Sequence, residues 1–487
     1  MYETKHAPTL IAKNTVIQII GRVLFLALSL INFKIIAIYL GPKLFGDYGN
    51  VFNYTAIFTV LADFGLFTVA VREIAKNPQK RQKILENSFT LRLLLALATS
   101  VLAIAAAYLI AFFAPNSGYP EIIPAIYLGT LNMLIFFISY ILDAAFHVEL
   151  KMHFIAIVEL LGKATALGVA IFAIVNNLGF LWVVSAVAFG SIVSLLSRLY
   201  FVRPFFKIRF GFDYKMWRWL LKMAVPLGLV FALNNLYFKM DSIMLYMISG
   251  SYANGIYTAA YRILETVVFV SAFFVAAMTP YLSNYLHNKP KQAKKLIAVG
   301  TEIMLATGLI ITTSITFYAK EIVLLLSGPD YLAAQVPLLF LAAVVTLLYI
   351  NSLMGQVLVL LDKRKILLTV SGTTLAINLI LNFYLIPKFS YIGSAASTLL
   401  SETLLIGANV IILRYLNLLD LRFDRLLRIF ASLMAAIIIF LLAAKLHVYW
   451  IIGFFLVPLV YFLLLWKQRI IPFEKILQRK IAKVIET

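Results

Sequence analysis

NTVIQIIGRVLFLALSLINFKIIAIYLG, from Asn14 to Gly41, is an apolar run long enough to cross a bilayer, since about 20 residues suffice. Yet it carries Asn14, Gln18, Arg22, Ser29, Asn32 and Lys34. A cation near the middle of a spanning helix costs roughly 2.5 kcal/mol or more, so such residues normally face a protein interior or a watery cavity. At about 100° per residue, Asn14, Gln18, Arg22, Ser29 and Asn32 share one stripe of a helix, and Gly21 lets a neighbouring helix approach. Lys34 lies nearly half a turn from that stripe and two turns from Gly41-Pro42, so snorkelling outward competes with lining a cavity.

Working outward, the chain has 487 residues, of which 63% are hydrophobic and 13% charged. No stretch is left over for a soluble domain. Apolar runs of spanning length recur from Ile11 to Leu464 and number about fourteen. Polar residues interrupt the first run and a second span follows at once, so no cleavable signal peptide is expected.

The net charge of +21 would point to nucleic acid in a soluble protein. Here the cations alternate by side. Lys76, Lys80, Arg81 and Lys83, then Lys151, then Arg203 to Arg218, then Lys289 to Lys295, then Lys363 to Lys365, then Arg414 to Arg428, all follow even-numbered spans. The opposite connectors offer little beyond Lys43, Lys320, Lys388 and Lys445. The positive-inside rule makes the rich side cytoplasmic and puts both termini there. Attraction to anionic head groups is a secondary effect of the same bias. The chain has no cysteine, which excludes disulfides and thiolate chemistry.

Polar groups mark certain spans. Span two carries Asn50, Asn53, Tyr54, Thr55, Thr59 and Asp63, too many for a helix facing lipid. Asp63 is either an ion-coupling acid or a boundary residue. Asp143, His147, Glu149 and Lys151 close span four and are most simply solvated boundary charges. Glu159 and Lys163 in span five have the i,i+4 spacing of a helical ion pair, the alternative being a substrate contact by Lys163. The connector Arg203 to Arg218 mixes Phe205, Phe206, Phe210, Phe212, Tyr214 and Trp217 with its cations, a composition suited to the bilayer interface. Span seven adds Asn234, Lys239 and Asp241, and span eight Arg262 and Glu265. Asp241 and Arg262 fall roughly 14 and 18 Å down their helices from Gly250, close enough in depth to meet.

The turn after span seven repeats the turn after span one. Gly250, Gly255 and Tyr257 stand 209 residues after Gly41, Gly46 and Tyr48, and Ser327-Gly328 matches Ser117-Gly118 at nearly the same offset. Two six-helix halves repeated in parallel are therefore expected, with a site between them. The expected boundaries are 1–202 for the first lobe, 203–218 for the link and 219–416 for the second lobe. Two additional spans occupy 417–468, and a basic amphipathic tail 469–487 follows, with Phe473, Ile476, Leu477 and Ile481 at helical spacing.

Span eleven has Asn378 and Asn382 one turn apart, then Leu385-Ile386-Pro387, with Pro387 expected to end the helix, and Gly393, Ala395-Ala396 and Ser401-Glu402 beyond. This stretch resembles the late signature of the Wzx-type oligosaccharide and polysaccharide flippases of the multidrug/oligosaccharidyl-lipid/polysaccharide exporter superfamily. Leu40-Gly41-Pro42 with Phe45-Gly46, Asp63-Phe64-Gly65-Leu66 with Arg72-Glu73, and Asp241 with Gly255-Ile256-Tyr257 resemble that branch as well. Two departures stand out: Ser390 where the family turn often has Gly, and Asn32-Phe33-Lys34 where lipid II flippases carry an arginine followed by an acid.

The resemblance implies an all-α membrane protein of about fourteen spans that flips a polyprenyl- or dolichyl-linked glycan across the cell membrane by alternating access. It acts as a monomer, with glycan-assembly proteins as further partners and no nucleic acid. The candidate substrate residues are Arg22, Lys34, Asn53, Lys163, Lys239 and Arg262. An arginine fits phosphate by paired hydrogen bonds and a lysine fits it as a point charge. For Arg262, an ion pair with Asp241 or Glu265 is an equal rival. Asp63 and Asp241 are the candidate coupling residues, for Na+ or H+; Asp241 is otherwise structural. No cofactor, metal or catalytic residue is expected. The alternatives are a small-molecule exporter of the same fold, which would need an acid in span one, a lipid II flippase, and a membrane glycosyltransferase or ligase. The last lacks an Asp-x-Asp motif and connectors long enough for a catalytic domain.

Overall fold

The computed structural model describes residues 7–149, 151–207, 209–446, 449–468 and 470, with side chains from Ile20 onward apart from residues 60–62, 226, 227, 230 and 364. Asn14, Gln18 and the amphipathic reading of the tail therefore lie outside the described side chains.

Thirteen α-helices make up the described chain: α1 (Ala7–Asp63), α2 (Leu66–Lys76), α3 (Arg81–Phe113), α4 (Tyr119–Val148), α5 (His153–Val175), α6 (Phe180–Val202), α7 (Tyr214–Asn288), α8 (Pro290–Phe317), α9 (Ala319–Leu326), α10 (Gln335–Leu360), α11 (Arg364–Tyr415), α12 (Phe423–Lys445) and α13 (Trp450–Lys467). Among the described residues, eleven helices are long and apolar enough to cross a membrane. Three of them are broken inside, α1 at Gly41, α7 at Gly250 and α11 at Ser390. Each of the three therefore supplies two spans, and the fourteen expected from the sequence are present. Only helices satisfy every backbone hydrogen bond within one segment in lipid, which is why the described residues contain no strand.

The breaks follow from local chemistry. Gly41 (φ 65°) and Gly250 (φ 82°) occupy backbone that an L side chain rarely adopts. Pro387 does not end its helix; the break falls three residues later, at Ser390 (φ 50°, ψ −129°). A proline in a spanning helix removes one hydrogen bond and can be tolerated, whereas the reversal needs the unusual dihedral. Span two does not run on unbroken. It breaks at Phe64 (φ 39°) and Gly65 (φ 79°), and α2 carries the chain on to Lys76.

The chain divides into two compact units: 1–258 with 326–330 and 382–391, and 259–325 with 331–381 and 392–487. Residues 219–258, including span seven, thus belong to the first unit.

In the first unit α5 packs closely on α6. A Cβ on Gly162 would meet the Gly190 carbonyl and the Ser194 hydroxyl, and one on Gly190 would meet Gly162 O and Ala166. Association inside a bilayer gains little from the hydrophobic effect, so small residues that let backbones approach carry it. Tyr54 donates to the Ala103 carbonyl (2.5 Å), joining the second half of α1 to α3. In the second unit Gly308 lies against Thr346, and Thr312 donates to the Ala342 carbonyl (2.5 Å), which ties α8 to α10. The last two spans dock on α8. Phe317 stacks on Phe440, Gly453 abuts the Tyr318 ring, and Arg425 binds the buried Glu302 (2.9 Å).

Candidate functional site

Arg22 sits where α1 touches α5. A Cβ on Gly21 would lie 2.8 Å from the Ala156 methyl, so these helices pack closely one residue before the arginine. The approach puts Arg22 within 3.9 Å of Glu159. The Arg22 guanidinium lies 5.1 Å from the Phe25 ring centre, and the Lys163 ammonium 5.6 Å from the same ring. One aromatic ring thus holds two cations, each within the range of a cation–π contact, and the Glu159 carboxylate lies beside Arg22. Arg22 and Glu159 are each about one-third exposed (31% and 37%). Two of the predicted substrate residues, from helices far apart in sequence, are brought together here.

Asn53 and Asp241 lie in a second polar cluster of the same unit. Asn53 donates to Ser242 Oγ (2.8 Å), Ser242 to Asn254 Oδ1 (2.6 Å), and Asn254 to the Gly46 carbonyl (2.8 Å). The Asp241 carboxylate accepts from Tyr257 (3.1 Å) and Asn382 (2.6 Å) and is buried. The late Asn signature and the repeated Tyr257 therefore meet on one acid. Arg262 belongs to the second unit and pairs with Glu265 on its own helix (2.8 Å), half exposed at 50%. Glu265, one of the two acids weighed as its partner, is thus engaged. Lys34 and Lys239 are half-buried.

Asp63 has a defined partner. Its carboxylate lies 3.0 Å from Arg92, which is 1% exposed and flanked by the Tyr140 (4.9 Å) and Phe137 (5.4 Å) rings. It also accepts from the Phe67 amide (3.4 Å), capping the start of α2 beyond the break. Asp143, expected as a solvated boundary charge, is buried and bound through both oxygens by Arg198 of α6 (2.7 and 3.2 Å). His147 packs edge-on against Phe67, and Glu149 pairs with Arg81. Asp143 lies more than a turn inside the end of α4, where a neighbouring helix rather than water covers it. The available signal was opposite charges at matching depth: Asp143 and Arg198 each stand a turn or so short of the end of a helix.

Spans enough for fourteen crossings, with two matched glycine breaks and cations set among apolar helices, define a multi-pass helical membrane protein with charged groups between its spans. The fold is similar to that of "Lipid II flippase MurJ, inward closed conformation" (TM-score 0.75, 13% identity, covering 97% of this chain and 100% of that one). It is also similar to an inward-facing multidrug resistance MATE family transporter (TM-score 0.64, 14% identity, 80% and 94% covered). A superfamily transporter from Pyrococcus furiosus, described as having a binding pocket of reversed polarity, is comparable (TM-score 0.63, 14% identity, 85% and 98% covered). No curated protein sequence matches the chain. The model of the polysaccharide biosynthesis protein family matches residues 11–286, more than half of the chain, and the chain belongs to that family. The MatE model matches residues 226–384.

Proposed function

We propose that this protein flips a polyprenyl-diphosphate-linked oligosaccharide or polysaccharide repeat unit across the cell membrane, with both termini cytoplasmic. The observation that carries this reading is the gathering of Arg22 and Lys163 about Phe25, with the Glu159 carboxylate beside Arg22. Of the three parts of such a substrate, only the diphosphate demands cations within the membrane; the sugar needs polar groups and the tail stays in lipid. Membership of the polysaccharide biosynthesis family supports a glycan as the cargo. The cycle is an exchange of access between two repeated halves, in a monomer. Asp241, held by Tyr257 and Asn382, is the coupling residue this reading favours over Asp63, whose carboxylate is engaged by Arg92.

The MatE match favours a small-molecule exporter as the second reading. It lacks the acid that such an exporter would need in Asn14 to Gly41. Sugar transfer is not part of either reading.

The test is transbilayer movement of a labelled lipid-linked oligosaccharide in proteoliposomes. Arg22→Ala with Lys163→Ala is expected to lower the rate by on the order of a hundredfold, the loss of two charge-assisted phosphate contacts. An unchanged rate removes this site. Movement of a cationic drug instead, dependent on neither residue, favours the exporter.

A further inference from the structure

The connector between spans six and seven is held in place along α3. Arg81 donates to the Phe205 carbonyl (2.5 Å) and Gln82 to the Lys207 carbonyl (2.6 Å). Two turns on, the Gly211 amide donates to Thr90 Oγ1 (2.8 Å) and the Asp213 amide to Asn87 Oδ1 (2.9 Å). A Cβ on Gly211 would lie 2.8 Å from the Asn87 amide nitrogen, so the segment lies flat on the helix. Asp213 completes the attachment. One oxygen caps α7 through the Met216 amide (3.1 Å) and the other binds Lys83 (2.8 Å).

With its backbone fastened on one side, the segment turns its other side outward. Arg203, Lys207, Arg209, Lys215 and Arg218 are all exposed. Between them stand Phe210 at 60%, Phe212 at 75% and Tyr214 at 75% exposure. The acids nearby are spoken for or few: Asp213 is neutralised by Lys83, Glu149 by Arg81, and Glu86 accepts from Gln82. A shallow cavity of about 730 Å³ opens between α3 and the strap, bounded by Lys83, Glu86, Asn87, Phe212 and Lys215.

We infer that residues 203–207 and 209–218 form a binding surface for the anionic phospholipid head groups of the inner leaflet, separate from the transport site. The cation bias puts this connector at the cytoplasmic face. Cations near an anionic membrane surface contribute about 1 kcal/mol each, and exposed aromatic rings belong at the head-group level. The contacts to α3 fix the backbone before lipid arrives, so binding does not have to order a free loop.

The experiment is native mass spectrometry of the full-length protein with phosphatidylglycerol or phosphatidylcholine added. The wild type is expected to retain phosphatidylglycerol at least tenfold more strongly, and Lys207→Gln, Arg209→Gln, Lys215→Gln and Arg218→Gln combined are expected to lose most of that preference. Equal retention of both lipids by the wild type, or an undiminished preference in the variant, overturns the inference. Displacement of the lipid by millimolar inorganic pyrophosphate also overturns it, since it indicates a site for free phosphates instead of a lipid surface. A nitroxide on Phe212→Cys, in an otherwise unaltered chain, tests the same point without the charge variant. It is expected to be more accessible to oxygen than to a water-soluble nickel reagent in bilayers containing phosphatidylglycerol, with the order reversed in pure phosphatidylcholine; the water-soluble reagent dominating in both overturns the inference.

Discussion

Gly46 and Gly255 meet backbone to backbone, and the contact is reciprocal. A methyl group on Gly46 would fall on the Ser251 carbonyl, and one on Gly255 on the Pro42 carbonyl. Each residue and its counterpart are 209 apart in sequence, as are Pro42 and Ser251. The two copies of the turn therefore use the same patch on each other, as the two subunits of a symmetric dimer do. Asn254 donating to Gly46 O and Tyr246 donating to Asp47 (2.9 Å) add polar contacts around the pair.

Gly46→Val is expected to force these turns apart. Overpacking costs about 1–3 kcal/mol, enough to shift a two-state equilibrium by on the order of tenfold. In a Ser242→Cys background, whose parent residue is buried, the rate of reaction with a membrane-impermeant thiol reagent rises accordingly. The absence of native cysteine makes that labelling specific. An unchanged rate means that the turns do not close this region.

Arg198→Met leaves Asp143 buried without its bidentate partner, and loss of one member of such a pair typically costs 3–5 kcal/mol. Thermal unfolding in detergent should show a marked fall in Tm. Adding Asp143→Leu should recover most of it, because the stranded carboxylate is then gone. A double variant as unstable as the single one would mean that packing, not charge, is what Arg198 supplies.

Arg262→Ala should barely change stability. Its pair with Glu265 is half exposed, and ion pairs of that kind contribute about 0–1 kcal/mol. A large loss of transport in this variant, at unchanged Tm, then reports substrate contact by Arg262; unchanged transport assigns it to the ion pair.

Ser390→Gly is expected to stabilise the protein by about 1 kcal/mol, since a side chain at φ 50° is strained and glycine is not. The rise in Tm is the measurement; no rise would mean that the Ser390 side chain offsets its own strain.

The strap should loosen in acid. The hydrogen bond from Lys83, followed by that from the Met216 amide, holds the Asp213 carboxyl below the ordinary value of 3.8. A lowered value means that the attachment is intact above the ordinary aspartate range and is lost as pH falls through the folded value. A nitroxide on Phe212→Cys should therefore gain mobility only at strongly acid pH, and Lys83→Met should move that midpoint upward. Identical midpoints would show that Lys83 does not hold the strap.

Much of this protein was legible in its sequence because a membrane permits few solutions. Run lengths gave the spans, and the shared offset of Gly41 and Gly250 gave the repeat, since a backbone break that needs positive φ selects glycine. Arg22 and Lys163 stood out individually because buried cations are costly. What the sequence could not supply was partnership. It offered a pair of Glu159 with Lys163, or a substrate contact by Lys163; that Arg22 also stands beside that acid follows from the approach of Gly21 to Ala156. It took Asp143 for a boundary charge, yet α6 brings Arg198 over it. Charge and hydropathy along one helix report the environment a residue requires; which neighbouring helix meets that requirement depends on packing between segments tens of residues apart, and only the folded chain decides it.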